Sequence, residues 1–329
     1  MATSSLLLTE RDVRAVLPMR DLIDAMAQAL DACSAGRVAQ PVRTVLEVGA
    51  DHNYFGVMPA ALDDPPAVGA KLVTVYHHNH ARGLPSHLAT IVLLDHATGA
   101  IAALLDGRFI TEARTAAVSA VSVRHLARPG ASVLAIIGSG VQARSHLEAI
   151  RHVATLTDVR VWSPTAARRE AFAREASGTG LPVRAVADAA TAVRGADLIV
   201  LATASRVPVV DNADIQDGAH IAAVGACRPD QREMPTALIR RARVYVDSRA
   251  AALKEAGDLL LPIGEGAIGA DHIAGELGDL VGGRVAGRRG AADVTIFKSL
   301  GMAVEDVVAA RLAVERAHAL GLGQRFSIE

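Results

Sequence analysis

A glycine-rich turn that directly follows an apolar run can bind a dinucleotide. Gly138, Gly140 and Ala143 have the G-x-G-x-x-G/A spacing. The first glycine permits a tight turn, the second leaves room for a pyrophosphate, and the alanine lets a helix approach the strand. The N-terminus of that helix presents N–H groups to the phosphates. We therefore predict a nucleotide cofactor bound at this turn, with Val141 and Gln142 among its contacts.

The residues after the second strand of this region indicate which nicotinamide cofactor is bound. In an NAD site an acidic side chain at this point binds the ribose hydroxyls. Here the strand is followed by Ser163 and Thr165 without Asp or Glu, and Arg168 and Arg169 come in the next helical turn. Hydroxyl and guanidinium groups suit a 2′-phosphate. The sequence favours NADPH, with NADH as the alternative, although such arginines also occur on ordinary solvated helix faces.

Three cationic residues lie in apolar surroundings in the first third of the chain. Lys71 shares a strand face with two valines, and Arg43 lies within a strand-like run. Arg114 falls in the first turn of a predicted helix, where a cation opposes the helix dipole. Buried charges are costly unless an anion compensates them. The three cations indicate a pocket for a carboxylate, and Glu47 and Glu112 are their partners if the role is only structural.

Composition excludes several classes of function. The chain has 329 residues, 51% of them hydrophobic, and a formal net charge of −1. This length allows two domains, and the charge favours neither nucleic acid nor a membrane surface as a partner. Cys33 and Cys227 cannot build a disulfide framework, which indicates a cytoplasmic protein. No apolar run is long enough to span a membrane, and the histidines between positions 77 and 87 match no common zinc spacing.

The order of predicted elements positions these residues. From residue 132 strands alternate with helices, which is typical of a doubly wound parallel sheet, the Rossmann fold. The predicted strands of this part are 133–137, 159–162, 183–186, 198–201, 220–224, 244–246 and a further one at 294–297. The glycine-rich segment 264–290 is left unassigned.

The preceding part is predicted to be a smaller α+β domain. A capping box at Thr9 begins an amphipathic helix that ends near Gly36. Strands at 42–48, 54–58, 68–76, 87–94 and 100–105 follow, then a helix at 111–126. Residues 128–130 mark a boundary, and a last helix at 303–320 packs back on this domain. We therefore predict an α/β protein with a discontinuous domain of residues 1–128 and 303–329 and a dinucleotide-binding domain of residues 129–302.

Short motifs along nearly the whole chain indicate its relatives. They are 40–44 (QPVRT), 56–60 (GVMPA), 71–74 (KLVT), 85–87 (PSH), 114–120 (RTAAVSA), 138–143 (GSGVQA), 224–230 (VGACRPD) and 297–306 (FKSLGMAVED). Together they resemble the ornithine cyclodeaminase/mu-crystallin family. Within it, 245–248 (YVDS) and 251–258 (AALKEAGD) are most similar to mu-crystallin and the bacterial ketimine reductases.

The resemblance implies a homodimer in which the first domain binds the substrate and dimerises. It also implies that Arg43, Lys71 and Arg114 hold a substrate carboxylate, which agrees with the charge argument. The cofactor-binding residues that it implies beyond the glycine-rich turn are Ser86, His87, Arg114, Thr203, Val224, Cys227, Arg228 and Ser299.

One departure from the family pattern separates its branches. Cyclodeaminases carry a catalytic aspartate where this chain has Cys227, and a thiol cannot replace a carboxylate that acts as a base and orients an amine. The resemblance therefore favours the reductase branch, with Cys227 as a small space-filling side chain. The proton donor stays open between Asp271 and His87, with Glu265 as a second acidic candidate in the glycine-rich segment.

The predicted activity is NAD(P)H-dependent reduction of a cyclic ketimine. The implied substrates are Δ1-pyrroline-2-carboxylate and Δ1-piperideine-2-carboxylate, which would yield L-proline and L-pipecolate. The alternatives are an ornithine cyclodeaminase, an alanine or N-methyl amino-acid dehydrogenase, and an NADPH-gated binding protein without catalysis. A purely structural protein would leave the three cations and the glycine motif unexplained.

Overall fold

The computed structural model describes residues 5–327, apart from the side chain of His80. The chain divides into two compact units, Met1–Arg114 with Met302–Glu329, and Thr115–Gly301. The division falls inside a helix, Gly107–Leu126, whereas the sequence placed the boundary after that helix, at 128–130. Arg114, the last residue before the division, forms its ion pairs within the first unit.

Before the division, the first unit contains two helices, a set of β-strands and the first half of a third helix. Its elements before the division are β1 (Ser5–Leu8), α1 (Glu10–Val16), α2 (Met19–Ser34), β2 (Val38–Ala39), β3 (Thr44–Val48), β4 (Asn53–Asp63), β5 (Pro66–Val75), β6 (His87–Leu94), β7 (Ile101–Asp106) and the first half of α3 (Gly107–Leu126). A short 3₁₀ helix, Asn79–Arg82, precedes β6.

The second unit alternates strands and helices. After the second half of α3 come β8 (Val133–Ile137), α4 (Val141–Ile150), β9 (Asp158–Trp162), α5 (Ala166–Ser177), β10 (Val183–Ala185), α6 (Ala189–Val193), β11 (Leu198–Leu201), β12 (His220–Ala223), α7 (Thr236–Arg241), β13 (Arg243–Val246), α8 (Arg249–Glu255), α9 (Gly257–Gly264), β14 (Ile273–Glu276), α10 (Leu277–Val281) and β15 (Thr295–Lys298). The 3₁₀ helices Asn212–Asp214 and Ala270–His272 precede β12 and β14. The chain then returns to the first unit with α11 (Ala303–Leu320) and β16 (Gln324–Phe326).

The sheet of the first unit is mixed, with the order β16-β1-β7-β6-β5-β4-β2 and with β3 also paired to β4. Antiparallel pairing places Met58 opposite Lys71 and Lys71 opposite Ile91. These three side chains share one face of the sheet, and α11 packs against β4, β5 and β6. Lys71 therefore lies on the buried face of the central strand.

The first predicted helix is two helices in the structure. The capping box is confirmed, since the Thr9 hydroxyl accepts a hydrogen bond from Asp12 N–H and the Asp12 carboxylate accepts one from Thr9 N–H. Pro18 then interrupts the chain as the residue that precedes α2. Proline lacks the N–H that a continuous helix requires, so the expectation of one helix from Thr9 to Gly36 was wrong.

The sheet of the second unit is parallel throughout, with the order β10-β9-β8-β11-β12-β15-β13-β14. This confirms the predicted doubly wound α/β class. The chain crosses from one side of β8 to the other between β10 and β11, which is where such sheets bind ligands. The strands predicted at 133–137 and 198–201 are confirmed at both ends. The sequence missed β14, an edge strand inside the unassigned glycine-rich segment.

Two buried histidines attach the second half of α3 to this sheet. His146 of α4 lies 2.9 Å from the Ser119 hydroxyl, and His220 of β12 lies 2.9 Å from the Ser122 hydroxyl. Burial lowers the pKa of His146 to about 4 and that of His220 to about 3. Both rings are therefore neutral at neutral pH and can bond to a hydroxyl without burying a charge. Within the described residues, no helix has the length and hydropathy needed to cross a membrane.

Candidate functional site

A cluster of charged side chains lies buried in the first unit. Lys71 Nζ is 2.6 Å from Asp306 Oδ2. The Arg114 guanidinium contacts two carboxylates, with Nε 3.0 Å from Asp306 Oδ1 and Nη1 2.7 Å from Glu305 Oε2. All four residues are at most 4% exposed. The predicted cations Lys71 and Arg114 are therefore brought together, around a shared aspartate.

The two acidic partners come from the start of α11. Glu305 and Asp306 occupy its first turn, where a negative charge also complements the helix dipole. Gln40 fixes this helix end, since its Oε1 accepts a hydrogen bond of 2.9 Å from Val304 N–H. The sequence did not single out Glu305 and Asp306, although they interrupt an apolar helix start, 303–310 (AVEDVVAA). Two charges in such a run are a signal of buried pairing.

The partners that the sequence offered for the cations have other contacts. Glu47 lies 2.5 Å from His52, and Glu112 lies 3.6 Å from Arg14. For Lys71 and Arg114, the expectation that Glu47 or Glu112 compensates the cation is therefore corrected. The compensating carboxylates come from a helix far away in sequence, which no local pattern could indicate.

The mutual charges set the protonation of this cluster. Burial acts to raise the pKa of Asp306, but Arg114 and Lys71 outweigh it and hold that pKa below its usual range. Burial lowers the pKa of Lys71 to about 8; Asp306 opposes this shift, and the positive charges of Arg114 and Arg43 add to it. Arg43, just before β3, thus belongs to the same electrostatic environment.

His87 adds an uncharged group to this environment. It is the first residue of β6, where it pairs with Val75. Burial lowers the pKa of His87 to about 4, and the charges of Lys71 and Arg114 act in the same direction. The imidazole is therefore neutral at neutral pH and a poor source of protons there. Ser86 precedes it in the connecting loop and accepts the Tyr76 N–H through its carbonyl oxygen.

The glycine-rich turn of the second unit has the shape that a pyrophosphate requires. Gly138 has φ +124°, and a Cβ atom there would lie 2.6 Å from the Ala202 carbonyl oxygen. A Cβ atom at Gly140 would meet nothing within 4 Å, so this position faces open space. Helix α4 then begins at Val141, and Ala143 is buried. Open space beside a helix N-terminus fits a dinucleotide phosphate group.

The predicted ribose-binding residues lie at the end of β9. The buried Ser163 hydroxyl accepts a hydrogen bond of 2.9 Å from Ser139, and the Ser163 carbonyl oxygen accepts one of 2.9 Å from Arg169. Thr165 and Arg168 are exposed at the start of α5. The stretch 163–169 (SPTAARR) contains no carboxylate, so a 2′-phosphate would meet hydroxyl and guanidinium groups.

The remaining cofactor residues that the sequence named in this unit share one location. They follow the carboxyl ends of β11, β12 and β15, which are neighbouring parallel strands, and they are Thr203, Val224, Cys227, Arg228 and Ser299. The Cys227 thiol donates to the Val224 carbonyl oxygen at 3.4 Å. The sequence did not single out Asp247, whose carboxylate accepts hydrogen bonds from Ser299, Leu300 and Gly301 and so holds the loop after β15.

Asp271 does not lie near the carboxyl ends of these strands. It is exposed in the 3₁₀ helix that precedes β14. All strands of this sheet run in the same direction. The amino end of β14 therefore lies on the side of the sheet opposite to the carboxyl ends that precede Gly138 and Cys227. The expected catalytic role of Asp271 is therefore corrected. Glu265, the second candidate, follows α9 and pairs with Arg232 at 2.9 Å.

Comparison with known proteins identifies the relatives of this chain. The model of the ornithine cyclodeaminase/mu-crystallin family matches residues 3–320. Ketimine reductase mu-crystallin of Rattus norvegicus is 45% identical over 280 residues, which cover 85% of this chain and 86% of that protein.

Two solved structures share the fold of the whole chain. The Δ1-pyrroline-2-carboxylate reductase of Thermococcus litoralis, in complex with NADH and L-proline, has a TM-score of 0.94 and 37% identity and covers 97% of this chain and 99% of its own. An archaeal alanine dehydrogenase dimer with bound NAD has a TM-score of 0.94 and 28% identity and covers 99% of this chain and 100% of its own. The family resemblance seen in the sequence is confirmed.

Proposed function

This chain belongs to the ornithine cyclodeaminase/mu-crystallin family, and we propose that it is an NAD(P)H-dependent reductase of cyclic ketimines that carry a 2-carboxylate. The observation that carries the proposal is the buried pairing of Lys71 and Arg114 with Glu305 and Asp306, with Arg43 in the same electrostatic environment. These cations can bind the carboxylate that a cyclic ketimine carries beside its C=N bond.

The chain's own residues bind and orient this substrate. Arg114 is held rigidly by Glu305 and Asp306, so its guanidinium is preorganised to receive a carboxylate. Arg43 supplies a second positive charge in the same environment. When bound at the glycine-rich turn and the strand ends of the second unit, the reduced nicotinamide supplies the hydride. The protein then contributes orientation and charge stabilisation.

The substrate class follows from the relatives together with this cluster. The Thermococcus litoralis enzyme acts on Δ1-pyrroline-2-carboxylate, by its name, and was solved with L-proline. We assign this chain Δ1-pyrroline-2-carboxylate, with the six-membered Δ1-piperideine-2-carboxylate as a second substrate of the same class. Both carry one carboxylate beside the C=N bond, which the cations of this cluster can bind.

Reduction also requires one proton at the ring nitrogen, and Lys71 is the group suited to donate it. Efficient acid catalysis requires a pKa near the working pH, and the pKa of Lys71 is about 8, whereas that of His87 is about 4. The Lys71 ammonium gives its proton to the nitrogen as the carbon accepts the hydride, and it is reprotonated by water. Asp306, at 2.6 Å, stabilises the charged form.

The activity is tested by the rate of NADPH oxidation with each of the two imines. We expect turnover with both. Ammonia release from L-ornithine without net NADPH consumption would identify a cyclodeaminase instead, and oxidation of L-alanine would identify an amino-acid dehydrogenase. Tight NADPH binding with no turnover of any of these compounds would indicate a binding protein.

The proton donor gives a pH dependence. Lys71 is protonated below its pKa of about 8, so kcat/KM for imine reduction should be level below that pH and fall about tenfold per pH unit above it. Lys71→Arg keeps the positive charge but does not release a proton at these pH values. We expect slower reduction by this variant and no fall above pH 8. An unchanged alkaline fall in Lys71→Arg would show that another group titrates.

The residues after β9 favour NADPH over NADH. Ser163, Thr165 and the exposed Arg168 present hydroxyl and guanidinium groups where an NAD site presents a carboxylate. Replacement of Arg168 by Ala removes a charged contact to the 2′-phosphate and should lower kcat/KM for NADPH about tenfold, with little change for NADH. Arg174→Ala, an exposed arginine in the last turn of the same helix, is the control. Equal NADPH kinetics in all three proteins would remove the assignment.

The outer face of the first unit's sheet fits a second copy of this chain. Leu46, Leu72 and Leu88 are 54%, 37% and 41% exposed and lie on the face opposite to Lys71. The same face carries an apolar groove of about 290 Å³ whose lining includes Pro59 and Val92. Exposed apolar surface of this extent is typical of an interface, and the archaeal alanine dehydrogenase is a dimer. We propose that the chain forms a homodimer through this face.

We also propose a cytoplasmic location, since neither cysteine is in a disulfide.

The dimer predicts a distinct effect of charge on the outer face. Leu72→Lys should shift the molar mass measured by light scattering from that of two chains to that of one, because a lysine would be buried without a partner. Leu320→Lys places the same change on a residue that is 64% exposed at the end of α11 and should leave the mass unchanged. A Leu72→Lys protein with the mass of two chains would contradict this interface.

A further inference from the structure

Glu233 is a buried carboxylate that joins the loops after β11 and β12. Its Oε1 accepts hydrogen bonds from the backbone N–H and the hydroxyl of Thr203 at 2.7 and 2.8 Å. Its Oε2 accepts from the N–H groups of Gly225 and Ala226 at 2.9 and 3.2 Å. The side chain has no exposed surface. One carboxylate therefore fixes the separation of the two loops.

The loops are in backbone contact where Glu233 holds them. A Cβ atom at Gly225 would lie 1.9 Å from the Thr203 carbonyl oxygen and 2.3 Å from the Thr203 nitrogen. Only glycine allows so close an approach. The contact between the loops therefore depends on the absence of a side chain at Gly225 and on the hydrogen bonds of Glu233.

Further buried charges support Glu233. The N–H groups of Glu233 and Met234 donate to Asp258 Oδ1 at 2.7 and 3.1 Å, and Asp258 Oδ2 lies 3.2 Å from Lys298 Nζ. Burial raises the pKa of Glu233, and the Lys298 ammonium acts against this rise. Asp258 and Lys298 are both fully buried. Replacing a buried charge network by apolar side chains is often neutral or stabilising. Stability alone therefore does not account for this network, whereas the fixed separation of the two loops does.

The loops that Glu233 holds belong to one half of the cofactor site. A doubly wound sheet binds one mononucleotide half of the cofactor on each side of its switch point. The glycine-rich turn follows β8 and Ser163 follows β9, and both suit the adenosine half. Thr203 follows β11 and Cys227 follows β12, so the loops that contain them are assigned to the nicotinamide half.

We propose that Glu233 is a positioning residue for the nicotinamide half of the cofactor. It keeps the loops after β11 and β12 in place before the cofactor binds, and it acts through Thr203 and through the Gly225 and Ala226 backbone that precedes Cys227. This inference rests on the proposed NAD(P)H-dependent function.

The test separates the two halves of the cofactor. In Glu233→Gln the side-chain NH2 group must face at least one backbone N–H donor, so at least one of the four hydrogen bonds is lost. We expect the Kd for NADPH, measured by calorimetry, to rise about tenfold or more. The Kd for 2′,5′-ADP, which lacks the nicotinamide half, should not change.

Asp197 offers a matched control in the same sheet. It is a buried carboxylate at the amino ends of the strands, whereas Glu233 lies at their carboxyl ends. Asp197 Oδ2 accepts hydrogen bonds of 2.9 and 3.0 Å from the N–H groups of Ser132 and Val133, and its Oδ1 pairs with Arg128. Asp197→Asn makes the same acid-to-amide change and should lower the Tm while leaving both Kd values unchanged. Equal weakening of the two ligands in Glu233→Gln, or equal effects in the two variants, would overturn the inference. Failure of the unmodified protein to bind NADPH would instead overturn the proposed function.

A measurement on the unmodified protein does not depend on the folding of any variant. Hydrogen–deuterium exchange should show the amides of Thr203, Gly225 and Ala226 protected without cofactor, because Glu233 already binds them. Addition of 2′,5′-ADP should leave this protection unchanged. Rapid exchange of these amides in the unliganded protein would contradict a preformed contact.

Discussion

The first unit depends on the pairing of Lys71 and Arg114 with Asp306. A lysine on the buried face of a central strand is unfavourable by itself, and so is a cation early in a helix. The aspartate at the start of α11 compensates both, at 2.6 and 3.0 Å. Removing one partner from such a buried pair costs about 3–5 kcal/mol. The pairing therefore ties α11 and α3 to strand β5 and leaves each of the two cations with a fixed orientation.

The same pairing explains the chemical character of the cluster. Asp306 and Glu305 hold Lys71 and Arg114 in buried ion pairs, and Arg43 adds a further positive charge to the same electrostatic environment. Burial, together with the positive charges of Lys71 and Arg114, lowers the pKa of His87 and keeps it neutral. Burial, together with Arg114 and Arg43, brings the pKa of Lys71 to about 8. Asp306, which pairs with both Lys71 and Arg114, thus also affects the protonation state of Lys71 on which the proposed reduction relies.

The second unit offers a different kind of site for an anion. Its glycine-rich turn offers backbone N–H groups at the start of α4, with open space at Gly140. Buried carboxylates accept hydrogen bonds from backbone N–H groups at both ends of the parallel strands. Asp197 does so at the amino ends, and Glu233 and Asp247 do so at the carboxyl ends. The groups proposed to bind anions therefore differ between the units: side-chain cations held by buried carboxylates in the first, and backbone N–H groups at the start of α4 in the second.

The sequence by itself determined the features that local pattern controls. Apolar alternation and turn residues located most strands, the G-x-G-x-x-A spacing located the cofactor turn, and the apolar surroundings of Lys71 and Arg114 marked them as compensated cations. Tertiary structure alone decided what compensates them. Asp306 is more than 190 residues from Arg114 in the chain, so no local period connects the two, and the nearby Glu47 and Glu112 were the wrong partners. The direction of β14 likewise moved Asp271 to the far edge, since only strand pairing decides which end of a segment meets the cofactor residues.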